Sequence, residues 1–313
     1  MFFKENELEK AMENEIMPFL SERLTASLVE GYDKNPLYVC HYRAIKPRGT
    51  VLILHGLAET AEKYREMIYY FLKSGLDVLV FDQRGHGRSY RVAAQGVTHI
   101  DRFEEYVLDA ECVLNSAKER KEPLYLFAHS MGGGVGALWL EKHPTVFKKA
   151  VLSSPLIAPY QSPFVRLASR ALCLACKLLG KGHKKVFVSK KSEENERFET
   201  SSSTSLARYS LYRALRREQP ILGVGAPSYG WSYVALDVKR HILKKGAPER
   251  VKTPVLILSA KQDHLVLPLP QQEFARRVAC GEWRELDCKH ELYFSPDDVF
   301  YAYMAQILEF FGE

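Results

Sequence analysis

Ser130 stands between Ala128-His129 and Met131-Gly132, directly after the apolar run 124–128 and directly before a helical pattern at 132–142. A strand that runs into a serine and on into a helix must turn sharply, so small residues are needed on both sides. Such a turn lifts the hydroxyl off the sheet, where it can attack a carbonyl carbon. Ala128 holds the first small position and Gly132 the second. The plainer reading, a serine that only caps the helix, leaves that context unused.

A serine hydroxyl needs a base to take its proton, and the base needs an orienting carboxylate. Asp263 lies in the loop after the apolar run 254–258, and His290 lies just past the next strand pattern, 283–286. The order serine, acid, histidine suits a strand–serine–helix turn, and three strand-end loops could converge over one edge. His264 adjoins Asp263, so its side chain should diverge toward solvent. His129 precedes the nucleophile and is expected as a packed polar group, and Asp287 would have to pair across its own loop. An oxyanion also needs two backbone N–H donors. Met131, after the nucleophile, and Leu57, in the loop after 51–54, are the candidates, with Gly56 allowing the turn. The Gly-rich segment 81–89 has no Lys-Ser/Thr after its glycines, which weakens a phosphate-cradle reading. It is expected to buttress the site.

The elements that must hold these residues read as an α/β class chain. Apolar runs at 51–54, 77–81, 124–128, 150–153 and 254–258 lack strict alternation, as buried parallel strands do. Helical patterns at 61–74, 102–120 and 132–142 lie between them, the second with a capping box predicted from Asp101 and Glu104. Alternation of this kind predicts a mostly parallel, doubly wound sheet. Residues 27–42 could add an antiparallel pair at its edge.

The alternation breaks after Pro155 and resumes at 254. Residues 156–235 therefore read as a helical cap inserted into a core of residues 1–155 and 236–313, placed where ligands bind in such sheets. The insertion carries thirteen Lys and Arg against five Glu, +8, in a chain whose net charge is only +6. The positive charge is thus local, which argues against a nucleic-acid partner. Within the cap, Tyr229 and Trp231 follow a Pro-Ser turn and could line an apolar acyl tunnel or pack the cap on the core. On the cap's first helix, Arg166, Arg170, Lys177 and Lys181 fall within about 60° of one another. That stripe predicts docking on an anionic membrane surface, with the leucines of the same helix entering the acyl boundary. The other reading is a solvated basic face whose leucine side packs on the cap.

Composition, with 46% hydrophobic and 26% charged residues, is ordinary for a globular protein. No apolar stretch is long enough to span a bilayer. The first thirty residues hold seven Glu and no cleavage-site pattern, unlike a signal peptide. Six scattered cysteines are then expected reduced, in a cytoplasmic compartment, with peripheral contact at a membrane's inner face the accompanying expectation. Cys173 and Cys176 have no second ligand pair, so small packed side chains are the better reading than a metal or redox site.

Taken together, residues 128–133, His55-Gly56 with Glu59 and Tyr64, the segment 81–89, and Asp263 with His290 resemble the monoacylglycerol lipase-like serine hydrolases. Residues 101–109 and the cap segment 224–231 make the chain more similar still to the bacterial lysophospholipase family within that group. The likeness runs from about residue 45 onward. It implies the α/β-hydrolase fold, Ser130, Asp263 and His290 as the catalytic triad, and Leu57 and Met131 as oxyanion donors. It also implies lysophospholipid or monoacylglycerol as substrate, with no metal or organic cofactor. A small-ester carboxylesterase or aminopeptidase of the same fold, or a non-catalytic ligand-binding protein on this scaffold, are the alternatives.

Overall fold

The computed structural model describes residues 2–92, 96–186, 197–223 and 226–312. Val224, at the head of the cap segment noted above, lies outside them. Among the described residues eight strands form one sheet: β1 (Leu24–Glu30), β2 (Pro36–Tyr42), β3 (Thr50–Leu54), β4 (Asp77–Phe81), β6 (Leu124–His129), β7 (Lys149–Ser153), β9 (Val255–Ala260) and β10 (Gly281–Leu286), in the order β1-β2-β4-β3-β6-β7-β9-β10. β1 and β2 are the antiparallel edge pair, in register from Leu24–Tyr42 to Glu30–Pro36, and only β2 runs against its neighbours. From β4 to β10 every pairing is parallel.

Inside the sheet, successive side chains feed two cores because strand side chains alternate faces. Val51, Ile53, Val78, Val80 and Phe127 face α3 (Arg65–Lys73) and α10 (Asp297–Gly312). Leu52, Leu54, Leu79, Phe81 and Leu126 face α4 (Glu104–Ser116) and α5 (Met131–Lys142). Each such fully buried side chain stabilises by roughly 1.5–3 kcal/mol relative to exposure. At the N-terminus α1 (Leu8–Ala11) and α2 (Met17–Ser21), joined by a π-helical turn, cover the first core; the sequence reading had no element there. The capping box shifts by one residue: α4 has no side-chain cap at Phe103, and Glu105 Oε1 instead accepts from the Arg102 N–H at 3.0 Å. Asp101 is drawn away toward Lys177, 3.4 Å distant.

The chain leaves β3 on one side for β4 and then crosses to the other side for β6. The order reverses between β3 and β6, and a crevice opens over the carboxyl ends of strands at such a switch point. Over it lie α6 (Pro163–Leu178), α7 (Leu206–Glu218) and α8 (Tyr229–Ile242), while α9 (Pro268–Arg277) lies between β9 and β10 in the chain. α8 continues through residue 235 and sinks Val238 and Ile242 into the core beside α5. A two-stranded parallel seam, β5 (Val97–Thr98) with β8 (Ala226–Pro227), stitches the cap's far end to the core. Ser228 tightens that seam: its N–H donates to Thr98 O at 2.9 Å and its hydroxyl meets His99 Nδ1 at 2.8 Å.

Candidate active site

β6 ends at His129 and α5 begins at Met131, which leaves Ser130 alone in the turn at φ 52 and ψ −115. A non-glycine residue adopts that conformation only where its surroundings over-determine it. Here the Ser130 N–H donates to Ser153 O at 2.9 Å, and its carbonyl accepts from Leu156 N at 2.7 Å and Gly134 N at 3.0 Å. A Cβ on Gly132 would lie 2.2 Å from Leu54 O, so α5 can come this close to β3 only with glycine there. A Cβ on Gly136 would sit 3.2 Å from the Ala128 methyl, so glycine one turn into α5 leaves that methyl its room.

The three loops do converge. His290 Nε2 lies 2.8 Å from Ser130 Oγ, and His290 Nδ1 lies 2.7 Å from Asp263 Oδ2. Asp263 Oδ1 accepts from the Leu265 and Val266 N–H groups at 2.8 and 3.0 Å, which fixes the carboxylate. Burial alone would raise the Asp263 carboxyl, but the His290 hydrogen bond and charge, with those two amides, hold it below its usual range. His264 is exposed, and Asp287 is exposed and bonded to Gln262. His129 is buried and neutral, pushed down to about 3 first by burial, with its ring 4.9 Å from that of His290.

Leu57 and Met131 both line the space around Ser130. Met131 is the first residue of α5, where an N–H has no intrahelical acceptor. The Leu57 loop is held by its neighbours. The Gln83 N–H donates to His55 Nε2 at 2.8 Å, which leaves the ring proton on Nδ1 to donate to Gly56 O at 2.8 Å. Segment 81–89 thus buttresses the site. Asp82 accepts from Ala61 N and Arg88 N, and the Arg84 guanidinium forks onto Asp109 at 2.5 and 2.8 Å.

The sequence reading gave no role to the ionic network behind the loop. Glu59 Oε2 accepts from Gly56 N at 2.7 Å and from the Tyr64 hydroxyl at 2.6 Å. Its other oxygen accepts from Tyr293 and from Lys63 Nζ, the latter at 2.8 Å. Lys63 also reaches Glu291 at 2.8 Å, next to His290. Burial would neutralise Glu59, yet the Lys63 charge, then the bonds from Lys63 and Tyr293, hold it well below the carboxylate range. The spacing of Glu59 and Lys63 was a signal for their pairing, but nothing in it marked the pair as buried.

In the cap, Trp231 lines the cavity and also donates its indole N–H to the Tyr106 hydroxyl at 3.2 Å. Tyr229 is buried but is not in the cavity wall, because two positions on a helix turn a side chain by about 200°. Of the predicted basic stripe, Arg170 and Lys177 turn inward, Arg166 is half-buried, and Lys181 is exposed past the end of α6. Arg170 reaches Asp237 at 3.3 Å and the Tyr233 hydroxyl at 3.2 Å, and Lys177 pairs with Asp101. α8 offers Tyr233 and Asp237 on one face, so Arg170 turns in, and the leucines of α6 turn out. Phe164 (81%), Leu178 (80%), Leu179 (71%) and Leu167 (65%) are exposed. Cys173 and Cys176 are free thiols, and Cys173 borders the cavity.

The cavity measures about 1080 Å³ and joins Ser130 and His290 to the undersides of α6, α7 and α8. Its walls include Leu156, Val165, Ala235, Leu236 and Val266, an apolar lining with a few polar groups converging at the serine. Such an arrangement can bind a chain of apolar matter with an acyl carbonyl at Ser130.

Comparison with known proteins bears on this site. A family described as serine aminopeptidase, S33, matches residues 45–294. The chain belongs to that family. A probable lysophospholipase L2 of Haemophilus influenzae is 28% identical to it over 293 residues, covering 91% of each chain. Lysophospholipase L2 of Escherichia coli is 27% identical over 312 residues, covering 90% of this chain and 86% of that protein. Among solved structures, a carboxyl esterase from Bacillus coagulans superposes with a TM-score of 0.75 at 17% identity, covering 93% and 98% of the two chains. The fold of this S33 family member is therefore the α/β-hydrolase fold, with its mostly parallel sheet and helices on both faces.

Proposed function

We propose that this chain is a carboxylic ester hydrolase that cleaves the acyl ester of single-chain lipids, lysophospholipid first and monoacylglycerol second. The observation that carries the proposal is the unbroken hydrogen-bonded line Ser130–His290–Asp263 on the wall of a largely apolar cavity. The names of its family relatives support the same substrate class. His290 takes the Ser130 proton as Oγ attacks the ester carbonyl, and Asp263 steadies the imidazolium that forms. The tetrahedral oxygen rests on the N–H groups of Leu57 and Met131. His290 then gives the proton to the departing alcohol, and water, deprotonated by the same ring, releases the fatty acid from Ser130.

An aminopeptidase reading is weaker on one count. A free α-amino group needs a carboxylate, and both carboxylates in the described cavity wall, Glu59 and Glu291, already hold Lys63. Residues 156–235 serve as the cap over the acyl chain. The outer, apolar face of α6 rests on the lipid surface from which substrate is drawn, because Val165 on the same helix also borders the cavity. Among the described residues no helix is long and apolar enough to cross a membrane.

The test is a fluorophosphonate label followed by a substrate panel. Stoichiometric labelling at Ser130, with turnover of lysophosphatidyl lipids and monoolein above p-nitrophenyl acetate and an aminoacyl anilide, is expected. Faster turnover of the anilide would replace the lipid reading with the peptidase one. Absence of labelling would leave only a binding protein.

A further inference from the structure

Two loops far apart in the chain serve Ser130, one carrying Leu57 and the other His290, and neither residue lies in a helix or strand. A base and an oxyanion donor must both stand within a fraction of an ångström of their working positions. Something has to hold one loop in register with the other.

Lys63 sits between them. It follows the Leu57 loop, in the 3₁₀ turn Ala61–Tyr64, and it is buried. Its ammonium lies 2.8 Å from Glu59 Oε1 and 2.8 Å from Glu291 Oε1. On one side, Glu59 accepts from the Gly56 N–H at 2.7 Å, one residue before Leu57. On the other, Glu291 follows His290 directly and is held at three points. Lys63 takes its carboxylate, Ser202 O accepts its N–H at 3.0 Å, and its carbonyl accepts from the Phe294 N–H at 2.8 Å. An unbroken line of contacts thus runs Gly56–Glu59–Lys63–Glu291. The Tyr293 hydroxyl on Glu59 runs beside it, and Lys63 Nζ lies 5.0 Å from the centre of the Phe294 ring.

Burial would strip Lys63 of its proton, but the charges of Glu291 and then Glu59 hold it above the usual lysine range. The side chain is locked as a cation, the state that can hold two carboxylates at once. Well-packed apolar side chains of the same volume commonly stabilise a core as much as buried ions do. What the ions add is direction, and here both directions end one residue from a reacting group. Resting on the ester-hydrolase reading above, we infer that Lys63 and Glu291 are positioning residues, a strut that holds the His290 loop in register with the Leu57 loop over Ser130. A shift of either loop lengthens the Ser130–His290 hydrogen bond or draws the Leu57 N–H away from the tetrahedral oxygen. Substrate affinity is spared, because the apolar lining comes from elements such as α6 and α8, through Val165, Ala235 and Leu236.

The experiment uses a short chromogenic ester, which reads the reacting groups without filling the acyl cavity. Glu291→Gln removes one arm of the strut with little change of shape. Its kcat is expected to fall by about tenfold, with KM within about twofold of wild type. Fluorophosphonate labelling of Ser130 should slow in the same proportion, because it uses the same base and oxyanion donors. Glu291→Asp keeps the charge and should recover part of both rates. The proton between His290 Nδ1 and Asp263 should resonate far downfield in the wild type, and shift or broaden in Glu291→Gln. Glu59→Gln/Glu291→Gln should be little slower than Glu59→Gln alone, since a strut cut at one end transmits nothing from the other.

Unchanged kcat and labelling in a folded Glu291→Gln variant overturn the inference. A loss confined to KM makes Glu291 a substrate contact, and a lower melting temperature alone makes the pair structural; either overturns it. So does an unmoved His290 resonance, or a pair of losses that multiply in the double variant. Should the double variant not melt cooperatively, the labelling rate and the resonance of Glu291→Gln decide. The two readings fail differently: a labelled, active wild type with an unaffected Glu291→Gln variant removes only the strut. No labelling of wild-type Ser130 and no ester turnover removes both.

Discussion

The floor of the cavity and the cap above it are held together in opposite ways. On the floor the groups that hold Ser130 and its loop are inside a web: Asp263 takes two amides and His290, Glu59 takes four donors, and His55 is pinned from both ring nitrogens. In the cap, α6 is attached by its cations to Asp237, Tyr233 and Asp101 and leaves its leucines outside. Reaction geometry needs a floor preorganised to a fraction of an ångström. A cap that only excludes water and holds an acyl chain can leave a greasy outer face for another surface. Changes to the floor should therefore cost rate, and changes to the outer face of the cap should cost neither rate nor stability.

The largest effect expected is at the nucleophile. Ser130→Ala and His290→Ala should each lower kcat by roughly 10⁴–10⁶-fold, and Asp263→Asn by about 10⁴-fold, with melting temperatures close to wild type. His264→Ala should stay within about twofold. If it proved as damaging as His290→Ala, the base would have been misassigned.

Next comes the ionic network. Glu59→Gln removes the charge that Lys63, Tyr64, Tyr293 and the Gly56 amide share, and should cost about 2–4 kcal/mol on denaturant unfolding. Because Gly56 precedes Leu57, the proposed oxyanion donor, kcat should fall by about tenfold with KM little changed. A loss of stability with kcat intact would show that the network only supports the fold.

One of the core's poorly satisfied groups stands at the far end of α5, the helix that follows Ser130. Glu141 is buried, its Oε1 has no hydrogen-bond partner, and burial pushes its carboxyl from 4.5 up to about 8. The folded chain then keeps a proton that the unfolded chain has released, so stability falls as pH rises from about 4.5 to about 8. Glu141→Gln should flatten that slope, stabilising by on the order of 1–3 kcal/mol at pH 8.5 and little at pH 4.5. Thermal melts at the two pH values check it. An equal gain at both would assign the effect to something other than titration.

The smallest effect on the protein itself is expected at the outer face of α6. Leu167→Ser/Leu172→Ser/Leu178→Ser should change stability by less than about 0.5 kcal/mol each while reducing co-sedimentation with zwitterionic vesicles several-fold. Binding that survives these changes but fades with salt would return the anchor to a basic surface.

The same contrast explains what was legible in the sequence. The triad candidates were readable because each of them is tied to a strand end. A short buried strand followed by Ser130, Asp263 or His290 fixes the loop, and the parallel sheet brings the loops to one edge. The edge pair β1–β2 and the buttress at 81–89 were readable for the same local reason. The cap was not. An amphipathic period on α6 reveals two faces but not which one turns inward, and the answer lay on α8, in Tyr233 and Asp237, about seventy residues away. Tyr229 and Trp231 were adjacent in pattern, and only the start of α8 decided which of them meets the cavity. Glu59 escaped because a carboxylate in a loop is ordinarily solvated, and its four donors come from positions 56, 63, 64 and 293.

The seam between β5 and β8 bears on how a substrate enters. At that end the cap is joined to the core by strand pairing and by Ser228 on Thr98 and His99. At the other, Thr204 N donates to Phe294 O at 3.0 Å and Glu291 N to Ser202 O at 3.0 Å. Lifting the cap would break both sets of backbone bonds together, so it behaves as an arch and not as a door. Under the proposed lipid-esterase function, that fastening predicts that a lipid enters lengthwise, tail first, with the cap in place. On that reading the span of the vault, and not the swing of a flap, would set how many methylenes fit before the carbonyl meets Ser130.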